Sequence, residues 1–178
     1  MMGVRVAPAG SVAISLVVIV AVISFGVSQA LGQGSHDIEI CKKVESRGHV
    51  YGSELVARQC VNRLTTADAY VAIIFHLKNF TDSMTVGVEV LDPDQAAVWS
   101  ATYPIRVEAG RGYSSYWIWR VLPIAADEAA LAAENPQLAA ARLRIEGRPV
   151  KERLGEWTVR MRINNGWPLT RKFTLAAQ

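Results

Sequence analysis

The feature that most constrains the fold of this chain is an alternation of apolar and polar residues that recurs after residue 36. It is clearest near the C-terminus, where Trp157, Val159 and Met161 are separated by single polar residues. Because successive side chains of a strand point to opposite faces, the pattern predicts a strand with one buried face. Asn165-Gly166 follows closely and indicates a tight hairpin turn, since both residue types tolerate positive φ. A chain built from such segments is expected to form sheets.

Earlier segments show the same period of two, and turn residues separate them. The further predicted strands cover residues 69–77, 84–91, 98–107 and 113–122. Asp92-Pro93-Asp94-Gln95 predicts a turn, with proline at its favoured second position. Pro104 and Pro168 indicate edge positions, because proline cannot donate a ladder hydrogen bond.

Two segments are predicted to be helical. Residues 125–142 are rich in Ala, Leu and Glu, and Asn135-Pro136 fits an N-cap followed by the first helical position. We therefore expect two short helices, at about 125–134 and 136–143, in an insertion spanning about 124–145. A further helical turn is predicted over 53–58.

Together these elements predict an all-β domain over residues 35–178, namely an immunoglobulin-like antiparallel β-sandwich with a short helical insertion. The closing pattern Gly155-Glu156-Trp157-Thr158-Val159, with Phe173 after it, resembles the ends of many bacterial exported sandwich domains. This resemblance covers about 20 residues and implies a fold class only.

Residues 1–34 predict either one transmembrane helix or a signal peptide. No Asp, Glu, Lys or Arg occurs from Val6 to His36, and the apolar run is intermediate in length between the two kinds of segment. Ser28-Gln29-Ala30 fits a cleavage site, whereas Pro8 is suited to begin a retained helix. In both cases the rest of the chain is exported. Small residues at helical spacing predict a helix contact in lipid and are Ser24, Gly26, Ser28 and Ala30.

Cys41 and Cys60 are the two cysteines of the sequence. In an exported chain a pair of cysteines predicts a disulfide, which here closes a loop of about 20 residues and stabilises the fold by roughly 3 kcal/mol. Two free thiols and a metal site are the alternatives. No metal site is expected, because His36 and His49 do not have zinc-ligand spacing.

The segment 113–122 carries bulky side chains on both faces. Trp117 and Trp119 share one face with Tyr113, whereas Tyr116 and Ile118 share the other. One face would form the core, and the other would be covered by the helices, by a protein partner or by a carbohydrate. From Arg142 onward, nine basic residues face three acidic ones, which indicates either a solvated sheet face or a basic docking face. The predicted partner-binding residues are Tyr116, Ile118, Trp167, Arg160, Arg162, Arg171 and Lys172.

Catalysis has no recognisable constellation in the sequence. The serines lie in no nucleophile elbow, the three histidines are scattered, and no phosphate loop or dinucleotide fingerprint occurs. The net charge of +3 is too small to indicate nucleic acid. We therefore expect a non-enzyme without catalytic residues, cofactor or metal, and with no small-molecule ligand.

The sequence thus predicts a membrane-anchored extracytoplasmic accessory or scaffold subunit. It would cross the cytoplasmic membrane once, with the N-terminus inside and the domain in the periplasm. Its partners would be other subunits of a larger membrane complex, either energy-transducing (respiratory or photosynthetic) or an envelope assembly. The alternative is a cleaved, soluble periplasmic or secreted binding module for a carbohydrate or peptide.

Overall fold

The computed structural model describes residues 35–49 and 52–178 of the chain. Most of these residues lie in strands, which form two packed sheets, as the alternating pattern predicts. The strands are β1 Asp37–His49, β2 Gly52–Cys60, β3 Arg63–Thr65, β4 Tyr70–Phe80, β5 Met84–Leu91, β6 Ala97–Ile105, β7 Tyr113–Pro123, β8 Gly155–Ile163 and β9 Leu169–Ala176. Two helices, α1 Glu128–Glu134 and α2 Pro136–Ala140, lie between β7 and β8.

The first sheet has the strand order β2-β1-β4-β7, and the second has the order β3-β9-β8-β5-β6. All pairs are antiparallel except that between β3 and β9, which is parallel. Pro104 lies in β6, an edge strand, as predicted. Pro168 precedes β9, whose first residues lack a neighbour on the β3 side, since β3 pairs only with residues 174–176.

The core lies between the sheets and is built by the inward faces that the alternation predicts. Phe75 of β4 and Trp157 of β8 are fully buried, and the Trp157 ring stacks on Phe173 with centroids 5.9 Å apart. The indole N–H of Trp157 donates to the carbonyl oxygen of Arg153 at 3.0 Å. The one polar atom of this large side chain is therefore satisfied inside the core.

The helical insertion packs on the outside of the first sheet. Asp127 caps α1 by accepting from the N–H of Ala130 at 2.8 Å, and Asn135 caps α2, where Pro136 takes the first position as predicted. The buried side chains Leu131 and Leu138 form a second, smaller core with residues of the sheet below. Both helices are shorter than predicted. The first begins only after its cap Asp127, because the N–H groups of residues 125 and 126 donate to the Ala69 carbonyl, and α2 ends at Ala140 because the chain then pairs with β7 over 141–143.

Residues 53–58 are not helical, so that prediction is wrong. They belong to β2, which pairs with β1 along its length. The hydrogen-bond ladder of this hairpin outweighs the modest helical preference of Glu54, Leu55 and Ala57.

A buried ion pair holds the turn between β5 and β6. Asp92 accepts from the N–H groups of Asp94 and Ala96, both at 3.0 Å, and from the Arg153 guanidinium at 2.9 Å. Arg153 also donates to the carbonyl oxygens of Glu146 and Arg148. Asp92 is thus a turn residue, as predicted, with a charge neutralised inside the protein.

Several connections meet at one end of the sandwich, which we call the proximal end because β1 begins there. Only residues 81–83 join β4 to β5, so the end of β4 and the start of β5 lie together. Asp37 pairs with His76 near the end of β4, and Asn164 bonds to Thr85 at the start of β5. The connections 81–83, 106–112 and 164–168 all lie at this end. We call the opposite end, which carries the buried ion pair, the distal end.

Candidate functional site

The pairing of β7 with β4 decides which side of β7 faces outward. Trp117 pairs with His76 and Trp119 with Ile74, whereas Ile118 pairs with the core residue Phe75. Paired residues project to the same side of a sheet, so Trp117 and Trp119 lie on the outer side.

Two of the predicted partner-binding residues lie on the other side of β7. Ile118 is only 6% exposed and belongs to the core between the sheets, so its prediction as a partner contact is wrong. Tyr116 is 38% exposed because it lies near the proximal end. There its ring packs edge-on against Phe80 and Tyr113, at 6.5 and 6.1 Å.

The helices cover only the distal half of the outer side of β7. Val121 lies beneath them and is buried, and Trp119 at their margin is partly buried. Beyond that margin Trp117 is 43% exposed. Tyr113 is 40% exposed but lies on the inner side at the proximal end, where its ring stacks on that of its ladder partner Phe80 with centroids 5.3 Å apart. Sequence reasoning did not select Trp117 as a partner contact, because it could not tell which bulky face the helices would cover. We call the outward side chains of Ser115, Trp117 and His76 the aromatic face.

His76 joins the two strands of the aromatic face. Its ring lies 5.0 Å from that of Trp117, and its Nε2 atom is hydrogen-bonded to the Ser115 hydroxyl. Burial, followed by the nearby Lys78 cation, lowers the pKa of His76 below its ordinary value, with Asp37 opposing. Burial likewise lowers the pKa of the neighbouring His36. Both imidazoles are therefore neutral at neutral pH, so neither adds a positive charge to the aromatic face.

The proximal part of β7 is also an open sheet edge. The N–H and C=O groups of Val121 bond to residues 141 and 143, away from β4. Backbone groups alternate in direction along a strand, so those of Ser115 and Trp117 also point away from β4. Within the described part of the chain, β4 is the one strand that neighbours β7. This stretch can accept an added strand.

Trp167 is 98% exposed at the tip of the β8–β9 hairpin. The turn is closed by a bond from the Gly166 N–H to the Ile163 carbonyl at 3.0 Å, and Asn164 has a φ of 51°. Leu169, just beyond it, is 40% exposed. An indole held in water by a tight turn is available for a contact outside the domain.

The four predicted basic residues do not form one face. Arg160 is paired with Glu89 at 3.4 Å, and Lys172 with Glu156 at 2.6 Å, so both are neutralised. Arg171 pairs with the core residue Val159 and therefore lies on the inner side of β9. There it lines a small groove together with residues 37–40 of β1.

Arg162 is exposed and has no ion pair with the described residues. It lines a groove of about 550 Å³ on the outer side of the second sheet, together with Arg160, Ser100 and Thr102. Gly87 forms part of the groove lining and has no side chain to fill it.

The predicted disulfide is confirmed, since Cys41 of β1 is bonded to Cys60 of β2. The two residues are direct partners in the ladder. The Glu39 carboxylate lies within 4.8 Å of both sulfur atoms. Because the sulfurs are bonded to each other, they are not thiolates, and this cluster does not offer metal ligands.

The predicted lipid-contact residues Ser24, Gly26, Ser28 and Ala30 lie outside the described residues. Within 35–49 and 52–178, neither helix combines the length and the apolar character that a membrane crossing requires. No protein-family model matches the chain, and no curated protein is significantly similar to it in sequence.

Proposed function

We propose that this chain is a non-catalytic accessory subunit, anchored in the cytoplasmic membrane by residues 1–34, whose exported domain braces or bridges components of a larger membrane complex. The aromatic face is the observation that carries the proposal. It presents the exposed Trp117 ring, with the His76 imidazole beside it, and an open backbone edge on the same proximal part of β7. An exposed tryptophan beside an unpaired strand edge suits a protein partner, which can add a strand and bury the ring.

We further propose that the sandwich is immunoglobulin-like. The strand order supports this assignment, with β1, β4 and β7 corresponding to strands A, B and E. In the second sheet, β5, β6, β8 and β9 correspond to C, C′, F and G. Such domains often serve as binding modules, although a fold alone does not assign a function.

The disulfide supports the exported location. Structural disulfides persist in oxidising compartments, and this one joins two strands of the domain itself. The uncharged stretch of sequence up to His36 supplies the segment that would carry the domain to the membrane.

The test is native size separation of membranes solubilised in a mild detergent. The wild-type chain is expected to migrate with a larger assembly, and Trp117→Ser is expected to weaken that assembly about thirtyfold, as a central aromatic contact of about 2 kcal/mol would. Leu154→Ser is the matched control, because Leu154 is a similarly exposed apolar residue at the distal end, 47% accessible. Migration of the wild type as a lone chain of 19.4 kDa in its micelle would refute the proposal.

A second function is favoured by the open edge of β7. If residues 1–30 are removed, the same edge suits a soluble periplasmic module that binds an extended peptide. The two functions differ in the mature N-terminus, since cleavage after Ala30 leaves Leu31 as the first residue.

A further inference from the structure

The exposed apolar side chains of the described domain are concentrated at one end. Five of the six large ones lie at or beside the proximal end, and Leu154 lies at the distal end. The five proximal ones are Tyr113, Tyr116, Trp117, Trp167 and Leu169. Contacts with the partner proposed above account for Trp117, but Trp167 belongs to the other sheet and needs a separate explanation.

The chain also joins the domain at this end. His36, directly before β1, accepts a hydrogen bond from the Lys78 N–H at 3.4 Å through its Nδ1 atom. Eight residues, 28–35, separate His36 from the apolar run that ends at Val27. Even when fully extended, eight residues span at most about 28 Å. A bilayer that holds the apolar run is therefore close to the proximal end.

The charges at the proximal end are nearly balanced. On the connections at this end, Arg111 is paired with Glu108 at 3.1 Å, and the other two charged residues, Arg106 and Asp82, are opposite in sign. Such an end is not drawn to lipid by charge, so its contact would depend on aromatic side chains. Tryptophan suits this position, since its ring is apolar while its N–H can bond to water or headgroups.

We propose that the proximal end of the domain rests on the membrane surface, with the Trp167 ring in the interfacial layer of the lipid. The β8–β9 hairpin then acts as a second, peripheral anchor that fixes the tilt of the domain and presents the aromatic face of β7 sideways to a partner. This inference rests on the membrane anchoring proposed above.

The test uses the full chain reconstituted into phosphatidylcholine vesicles, some of which carry lipids brominated near the top of the acyl chains. Bromine quenches tryptophan on contact, and residues 1–34 contain no Trp, so the emission reports only the domain. We expect quenching of the wild type, and loss of most of it in Trp167→Phe. Trp99→Phe is the control and is expected to keep the quenching, because Trp99 pairs with Val90 toward the distal end.

Vesicle flotation, measured on the same samples, separates the two proposals. If the protein floats with the vesicles and Trp167→Phe is quenched as strongly as the wild type, the inference fails and the anchoring survives. If the wild type does not float, the anchoring fails and the inference fails with it. Loss of the quenching in about 0.5 M salt, several times the ionic strength at which surface charges are already largely screened, would also overturn the inference. Quenching that depends on aromatic insertion is expected to persist in salt.

Discussion

Replacing Arg153 with Met tests whether the buried ion pair holds the distal end together. The side chains of Arg153 and Asp92 are only 10% and 6% exposed, and the guanidinium lies 2.9 Å from the carboxylate. The substitution leaves the Asp92 charge buried with two backbone N–H donors but no cation. Removing one partner of a buried pair costs about 3–5 kcal/mol. That is a large share of the roughly 5–15 kcal/mol by which domains of this kind are stable.

The measurement is urea unfolding followed by tryptophan fluorescence, with Asp92→Asn and the double variant completing a cycle. The double variant is expected to be less destabilised than the sum of the two single variants, since no unpaired charge remains. Lys172→Met is the matched control, because its pair with Glu156 is shorter, at 2.6 Å, but 56% exposed on both sides. That change is expected to cost no more than about 1 kcal/mol. Equal losses of unfolding free energy in Arg153→Met and Lys172→Met would refute the reasoning that burial decides how much a broken ion pair destabilises the domain.

Three further predictions concern stability and titration. Replacing Cys41 and Cys60 together by Ala should lower the free energy of unfolding by about 3 kcal/mol, because the unfolded chain regains the entropy of an open loop; an unchanged urea midpoint would contradict this. Gly155→Ala should cost about 1–3 kcal/mol in the same assay, since φ is +128° there and a Cβ would lie 3.0 Å from a proline carbon; a neutral effect would argue against that backbone geometry. In an NMR titration the His76 midpoint should lie below 6.5 and rise in Lys78→Met. Because only the unfolded state gains the proton near pH 6.5, stability should fall as the pH drops from about 6.5 towards the lower folded pKa and level off below it, and a midpoint above 6.5 would contradict this sign.

The alternating strands could be predicted from the sequence because they depend on one local rule. Burial on one face of a strand requires a period of two, and β4 and β8 follow it closely. The cap at Asn135-Pro136 was predictable for the same reason, since it depends on neighbouring residues alone. In contrast, β2 forms through its pairing with β1, which no local pattern reveals.

The candidate site was only partly predictable. Both faces of β7 carry bulky residues, so its orientation depends on where the helices pack, and Ile118 was placed on the wrong side. The sequence did contain a signal for Arg171, which alternates in phase with the buried residues Phe173 and Leu175. That phase places Arg171 on the core side of β9, away from Lys172.

The central claim is that the apolar N-terminal segment is retained and holds an oxidised domain outside the cytoplasm. It is tested most directly by the intact mass of the protein extracted from alkali-washed membranes without reducing agent. We predict the mass of all 178 residues, lower by two hydrogens for the Cys41–Cys60 bond. A chain that begins at Leu31 in the soluble fraction, or a full chain with both thiols reduced, would contradict the account.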